Sequence, residues 1–105
     1  SQIQAAEGRY VMLDFWADWC VSCHEMERFT LSDERVKARL KDVLLLKADV
    51  TANNAEDQAL LRRFGLFGPP GIIFYDREGM EIDFQVIGFQ SPKKFIRSLD
   101  SAIPL

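Results

Sequence analysis

The sequence is short of the features that mark several common classes of protein. It has no apolar run near the roughly 18 residues of a membrane-spanning helix and no segment with the pattern of a signal peptide. Its 13 lysines and arginines are outnumbered by 16 aspartates and glutamates, so it lacks the basic face of a nucleic-acid-binding protein. We therefore expect neither direct membrane insertion of this segment nor a nucleic-acid partner.

Cysteine and histidine are also scarce, with two cysteines and one histidine in 105 residues. Two cysteines cannot build a framework of several bridges. A disulfide that closes so short a loop removes little chain entropy, so the pair serves chemistry more than stability. The length and an apolar content of 48% predict one globular domain over residues 1–105. Because the chain opens on Ser1 and not on methionine, we expect this domain to be part of a longer or processed protein.

The two cysteines stand between a predicted strand and a predicted helix. The apolar run 11–17 is typical of a strand buried on both faces, and the apolar spacing after it predicts a helix to about Thr30. Cys20 then lies at the N-terminus of the helix and Cys23 one turn inside it. The free N–H groups and the dipole at that end favour a thiolate, which is the nucleophile of disulfide exchange. The pattern predicts a redox site.

The rest of the chain predicts alternating helices and strands. A helix capped near Ser32, with Val36 and Leu40 facing inward, is followed by a buried strand at 43–48. Next come a helix at 55–64, with Ala59, Leu60 and Phe64 facing inward and Gly65 as its C-cap, and a hairpin of strands 72–75 and 82–87. The last element is a helix that begins at Ser91, with Phe95, Ile96 and Leu99 facing inward. A short helical turn is suggested around Ala5. Strands joined through helices pair in parallel and a hairpin adds an antiparallel edge, so the predicted class is α/β, a central mixed β-sheet flanked by helices on both faces. The cysteines then lie at the carboxyl end of the first strand, where open α/β sheets place their sites.

Half of a zinc site is the alternative interpretation of the cysteine pair. Zinc needs two more ligands of suitable type and spacing. The only histidine, His24, is adjacent to Cys23 and points off another side of the helix, where we expect it to be exposed. We therefore expect no metal, and no cofactor other than the redox-active disulfide itself.

Several motifs resemble the thioredoxin superfamily over nearly the whole chain. They are Leu13-Asp-Phe-Trp-Ala-Asp-Trp-Cys-Val-Ser-Cys23, the Gly68-Pro-Pro70 break before a strand, and Gly88. More narrowly, Ala17-Asp-Trp-Cys-Val-Ser-Cys23, Glu25-Met-Glu27 and Asp49-Val-Thr-Ala-Asn-Asn-Ala-Glu-Asp57 resemble the C-terminal periplasmic domain of the DsbD family. The resemblance implies a thioredoxin fold.

The resemblance also implies roles for individual residues. Cys20 would be the exposed attacking cysteine, Cys23 the buried resolving one, and Pro70 the cis-proline that faces them. Valine and serine stand between the cysteines, where ordinary thioredoxins have Gly-Pro, and this fits the DsbD branch. Pro69 occupies the position whose backbone pairs with the partner in relatives. Because proline has no N–H, docking would depend on the Pro69 carbonyl and on apolar contact, and partner binding would be weak.

Two carboxylates are candidates for tuning the thiols. Asp14 interrupts the apolar strand, where a buried carboxylate stays protonated or finds a partner. It is either a satisfied structural carboxyl or, as the matching aspartate of thioredoxins implies, a proton relay beneath Cys23. Glu27 is four residues after Cys23 and seven after Cys20, hence on the same helical face, unless it is simply a solvated surface residue. If both carboxylates lie near the sulfurs, they raise the pKa of the Cys20 thiol and keep it slow to react until a partner docks.

Aromatic residues near the cysteines are candidates for partner contact. Trp19, directly before Cys20, either lines the docking surface or serves only the fold, whereas we expect Trp16 in the core. Phe67 and Phe89 flank the expected docking face or merely pack.

The function implied by the resemblance is that of a protein-disulfide reductase. The domain would take electrons from the transmembrane domain of the same DsbD-like protein and pass them to its N-terminal periplasmic domain, and so to other protein disulfides. It would be a monomeric periplasmic domain of a bacterial inner-membrane protein. Weak stabilisation of the Cys20 thiolate predicts a reducing couple of roughly −200 to −270 mV. The alternatives are a free-standing thioredoxin-like reductase or cytochrome c maturation thioredoxin, a dithiol oxidase, and a non-catalytic interaction module on the same fold.

Overall fold

The computed structural model describes residues 8–103, which contain four strands and four α-helices. In chain order the elements are β1 (Val11–Trp16), α1 (Val21–Glu25), a π-helical turn (Met26–Thr30), α2 (Glu34–Arg39), β2 (Leu44–Asp49), α3 (Ala55–Arg63), β3 (Gly71–Tyr75), β4 (Glu81–Ile87) and α4 (Pro92–Ala102). This is the predicted order, except that the first helix changes from α to π winding at Met26. The helical turn suggested around Ala5 lies outside the described residues. Within the described part, no helix combines the length and the apolar character needed to cross a bilayer.

The four strands form one sheet in the order β2-β1-β3-β4. β1 pairs in parallel with β2 but antiparallel with β3, and β3 pairs antiparallel with β4. The prediction that strands joined through helices pair in parallel is therefore right for β2 and wrong for β3. The register shows why, because Asp49 at the end of β2 and Gly71 at the start of β3 both lie at the edge where β1 ends. The connection through α3 leaves and re-enters the sheet at one edge, so β3 must run back against β1.

The prediction that the second strand is buried is also wrong. β2 is the outer strand of the sheet, and its residues alternate between half-buried and exposed. Leu44 and Leu46 pack against the core, whereas Leu45 is 52% exposed and Lys47 points away from it. β2 is covered on one face only, so its apolar run does not correspond to burial on both faces.

Helices cover both faces of the sheet, as predicted. On one face Met12 and Phe74 pack with Val36 of α2 and Phe95 of α4. The second cluster lies on the opposite face and joins sheet, α1 and α3 residues, which include Phe15, Cys20, Cys23, Leu61 and Ile73. The disulfide site is thus built onto the second face of the core.

Helix α3 begins and ends with the local signals that the sequence carries. Asn54 accepts the backbone N–H of Asp57 at 2.9 Å, and the Asp57 carboxylate accepts the Asn54 N–H in return, which completes a capping box. Gly65 follows the helix with φ +73°, the left-handed conformation typical of a glycine C-cap. The inward face differs by one position from the prediction, since Leu61 is buried and Ala59 is exposed.

The π-helical turn connects the first helix to the loop that follows β4. The Thr30 hydroxyl donates to the carbonyl of Gln90 at 2.5 Å, and the Gln90 N–H donates to the Met26 sulfur at 3.3 Å. Ser98 of α4 donates to the Gln90 side chain at 2.7 Å. These bonds hold the segment after Gly88 against the helix that carries the cysteines.

Candidate active site

Cys20 and Cys23 form a disulfide at the carboxyl end of β1, where the sequence placed them. Their Cα atoms are 5.2 Å apart. Cys20 is the N-cap of α1, and its sulfur accepts the backbone N–H of Cys23 at 3.1 Å. In the reduced protein the same N–H can donate to a Cys20 thiolate.

The predicted exposure of Cys20 is wrong for the disulfide form. Cys20 is only 6% exposed and Cys23 is 1% exposed. The Cys20 sulfur is tied to Cys23 and turned towards the first turn of the helix, so little of the residue reaches solvent. The Cys23 sulfur lies 3.9 Å from the carbonyl oxygen of Phe15, deep in the second core cluster. The neighbours Trp19 and Val21 are exposed, so a partner approaching this point meets their side chains first.

Thr51 braces the loop that leads to Cys20, a role that the sequence interpretation missed. Its carbonyl accepts the Trp19 indole N–H at 2.8 Å, and its hydroxyl accepts the backbone N–H of Asp18 at 2.9 Å. Thr51 is itself held by Asp49, which accepts its backbone N–H at 2.9 Å and its hydroxyl. The hydrogen bond from the Thr51 hydroxyl is the main reason that the pKa of Asp49 is lowered. The Asp49-x-Thr51 spacing, typical of a local side-chain turn, was the available signal.

His24 is exposed, as predicted, and it closes the same loop from the helix side. Its Nε2 lies 2.7 Å from the carbonyl oxygen of Asp18. Its ring packs edge-on against Trp16, with the ring centres 5.3 Å apart. Trp16 is half-buried, with its face towards Lys47.

Asp14 is half-buried, and burial raises its pKa from 3.8 to about 6. The Lys47 ammonium opposes this effect and the Glu27 carboxylate adds to it. A carboxyl that titrates near neutrality is suited to accepting and releasing a proton at physiological pH.

Glu27 and Lys47 form an ion pair with 2.5 Å between Oε2 and Nζ. The Lys47 ammonium also lies 4.5 Å from the centre of the Trp16 ring, within range of a cation–π contact. Glu27 belongs to the π-helical turn, so the α-helical spacing used to place it beside Cys20 does not apply there unchanged. The sequence interpretation missed Lys47, because its position opposite Asp14 follows from the parallel pairing of β1 with β2, which no local pattern in the sequence shows.

The Pro69–Pro70 peptide bond is cis, in agreement with the expectation for Pro70. The Pro70 carbonyl accepts the N–H of Gly88 at 3.2 Å. The strand register aligns the end of β1, the start of β3 and the end of β4 at one edge of the sheet. Phe67 is fully exposed and Phe89 is partly exposed beside this edge. The edge that carries the disulfide is therefore flanked by apolar surface.

The alternative interpretation of the cysteine pair was half of a zinc site. Among residues 8–103, no group of three or more His, Cys, Asp or Glu side chains is arranged to hold a metal ion.

The fold and the site together define a thioredoxin-like domain. The family model described as a thioredoxin-like domain matches residues 2–103, and the chain belongs to that family. The thiol:disulfide interchange protein DsbD of Ralstonia nicotianae is 58% identical over 98 residues, which cover 93% of this chain and 16% of that protein. The DsbD of Yersinia pestis is 48% identical over 105 residues and is covered to 18% of its length. The chain thus spans less than a fifth of these two relatives.

The particular branch follows from the solved structures. The oxidised C-terminal domain of Neisseria meningitidis DsbD matches with a TM-score of 0.77 and 37% identity, covering 96% of this chain and 86% of that one. The predicted resemblance to DsbD C-terminal domains is therefore confirmed.

Proposed function

We propose that this chain is a thiol:disulfide oxidoreductase domain that reduces protein disulfides. The observation that carries the proposal is the Cys20–Cys23 disulfide at a helix N-terminus, with the Cys20 sulfur accepting the Cys23 N–H. A sulfur in that position is favoured as a thiolate and as a leaving group, the two properties that disulfide exchange requires.

The reaction begins with the reduced dithiol. The Cys20 thiolate attacks one sulfur of a partner disulfide, an S–S bond forms between Cys20 and the partner, and the other partner sulfur leaves as a thiolate that takes up a proton. Cys23 then loses its proton and attacks the Cys20 sulfur. The mixed disulfide breaks, the second partner thiol is released, and the Cys20–Cys23 disulfide remains. Two electrons and two protons pass to the partner in all.

Asp14 is the proposed acceptor of the Cys23 proton. Asp14 directly precedes Phe15 on β1, and the carbonyl oxygen of Phe15 is 3.9 Å from the Cys23 sulfur. The pKa of Asp14, about 6, suits proton transfer near neutral pH. Glu27 is proposed to tune the thiols through its charge.

The two cysteine sulfurs carry the electrons, so the reaction needs no further cofactor.

The partners proposed are domains of a larger DsbD-like protein. The support is that relatives named as thiol:disulfide interchange proteins match this chain over only 16% and 18% of their length. In this proposal residues 1–105 act as one monomeric domain in the periplasm. A membrane-embedded domain recharges the disulfide, and an N-terminal domain takes the electrons onward.

The equilibrium potential of the cysteine pair tests the proposed direction of electron flow. Equilibration with glutathione redox buffers, followed by trapping of free thiols, is expected to give roughly −200 to −270 mV. A value near −120 mV, typical of strong oxidants, would support the dithiol oxidase instead. A pair that does not exchange with glutathione would leave the interaction module as the better explanation.

Trp19, Pro69 and Pro70 are the proposed docking residues. Trp19 is 54% exposed, although its indole N–H is already bonded to Thr51. Exposed aromatic side chains with a fixed orientation are frequent contributors to binding energy. Pro69 and Pro70 lie at the sheet edge that carries the disulfide.

Trp19→Ala is expected to raise KM for a protein disulfide about 5- to 30-fold, as loss of an aromatic contact worth about 1–2 kcal/mol would do. The rate with a small disulfide should change less than twofold. Phe29→Ala is the matched control, because Phe29 is an aromatic residue of similar exposure, 52%, in the π-helical turn. Equal effects of the two substitutions, or no effect of Trp19→Ala, would move the docking surface elsewhere.

A further inference from the structure

Gln90 is held at three of its atoms by two other elements of the fold. Its backbone carbonyl accepts the hydroxyl of Thr30 at 2.5 Å, and its backbone N–H donates to the sulfur of Met26 at 3.3 Å. Its side-chain oxygen accepts the hydroxyl of Ser98 at 2.7 Å. Thr30 and Met26 belong to the π-helical turn and Ser98 to α4, and all three are buried. Gln90 is thus fixed between the π-helical turn and α4.

The residues before Gln90 reach the edge of the sheet that carries the disulfide. Gly88, two positions earlier, has φ +81° and donates its N–H to the Pro70 carbonyl at 3.2 Å. Phe89 therefore stands between two residues whose backbones are both anchored. The π-helical turn that supplies two of the anchors directly follows the helix of Cys23. Single π-helical turns of this kind are frequent at functional sites. The same elements thus position the cysteine pair and Phe89.

The side chain of Phe89 belongs to neither core cluster of the described residues. It is 41% exposed, whereas Phe84 of β4 and Ile96 of α4 pack against the first cluster. An exposed aromatic side chain on an anchored backbone loses little conformational freedom when it is covered. Phe89 therefore has the features of a contact residue more than those of a packing residue.

We propose that Gln90 is a positioning residue that presents Phe89 to an apolar segment of the partner protein, next to the partner's disulfide. The inference rests on the proposed function, because it concerns how a protein disulfide is recognised. An apolar segment fits because Phe89 continues the exposed apolar surface that Trp19 and Phe67 form around the disulfide edge. If Gln90 were released, only a fraction of the molecules would present Phe89 correctly, and the apparent affinity would fall by that fraction.

The KM for a protein disulfide measures this presentation. Thr30→Val keeps the shape of the buried side chain but removes its hydroxyl, and it is expected to raise KM for insulin about 3- to 10-fold. The rate with hydroxyethyl disulfide should change less than about twofold, because so small a substrate does not reach Phe89. Thr30→Ser keeps a hydroxyl and should restore KM. Ser98→Ala removes a second bond to Gln90 and should raise KM in the same direction, so the test stands even if Thr30→Val folds poorly.

Phe89→Ala tests whether the bonds to Gln90 act through the aromatic side chain. It is expected to raise KM at least as much as Thr30→Val does. Thr30→Val added to Phe89→Ala should then change KM by less than about 1.5-fold, because the side chain to be presented is already gone. Additive effects in the double variant would mean that the Thr30 hydroxyl serves another part of the site, and the inference would fail.

Ser32→Ala is the matched control. The Ser32 hydroxyl also donates to a backbone carbonyl, that of Arg28 at 2.5 Å, but this bond joins neighbouring turns of one segment and not the residues after β4. Its loss removes the same kind of bond close to Thr30. The KM of this variant should equal that of the natural sequence.

Amide hydrogen exchange follows the same residues without any substrate. The N–H groups of Gly88 and Gln90 should exchange at least about threefold faster in Thr30→Val than in the natural sequence. Unchanged exchange, unchanged KM in both Thr30→Val and Ser98→Ala, an equal rise in Ser32→Ala, or a rise that Thr30→Ser does not reverse would each overturn the inference. A natural sequence that reduces no disulfide, although the exchange rates are as expected, would instead refute the proposed function.

Discussion

Cys20→Ser is expected to lower the rate of protein-disulfide reduction by at least about a thousandfold, because serine cannot form the S–S bond on which both steps depend. The measurement is reduction of a protein disulfide such as that of insulin, with dithiothreitol as the recharging reductant and its background rate subtracted. Ser22→Ala, between the two cysteines, is the control and should retain most of the rate. Retained activity in Cys20→Ser would assign the attacking role to another group.

Cys23→Ser separates the two steps of the same reaction. Cys20 can still attack, but no second thiol is present to release the partner, so a covalent mixed disulfide should accumulate. Mass spectrometry of the product under non-reducing conditions detects it. Trapping through Cys23 in the Cys20→Ser variant, without trapping through Cys20 in the Cys23→Ser variant, would reverse the assigned roles.

Asp14→Asn is expected to stabilise the fold by about 2–3 kcal/mol at pH 8. The folded-state pKa of Asp14 is about 6, above the ordinary 3.8, mainly because burial disfavours the charged form. Its contribution to stability is therefore fully present below pH 3.8 and is lost as the pH rises through about 6. The amide variant has no such loss, so the two proteins should be equally stable near pH 3.5 and diverge above pH 4.

Urea unfolding across pH 3.5–8 measures this difference. Asp83→Asn is a suitable control, because Asp83 is exposed on β4 and its replacement should leave the pH profile unaltered. If the free energies of unfolding of Asp14→Asn and of the natural sequence changed in parallel with pH, ionisation of Asp14 would carry no cost in the folded protein. Another contact of the Asp14 carboxylate would then compensate for its burial. If Asp14 also accepts the Cys23 proton, the more stable variant should nevertheless release partners more slowly.

Much of the site could be read from local patterns. The strand before Cys20, the helix after it and the position of both cysteines follow from apolar spacing over a few residues, which a strand and a helix impose on their own sequence. The cap at Ser91, whose hydroxyl accepts the Lys94 N–H, and the left-handed Gly65 are equally local. The cysteine pair therefore appeared at the predicted end of the predicted strand.

The errors share one cause. That β2 is an outer strand and that β3 runs against β1 depend on which strands become neighbours, and no local spacing states this. The near-complete burial of Cys20 in the disulfide form likewise depends on where its sulfur is turned once the bond has formed.

The chemistry of this protein was determined by its sequence alone, because two thiols three positions apart at the start of a helix are within reach of each other in any fold that keeps that helix. The side-chain contacts of the segments that flank the cysteines were decided only by the tertiary structure. Lys47 meets Glu27 across 20 positions, and Thr51 meets Trp19 across 32, so these contacts exist only after β2 has paired with β1. Electrostatic and hydrogen-bond energies depend on distance in space, and distance in space is set by strand pairing and packing, not by position along the chain.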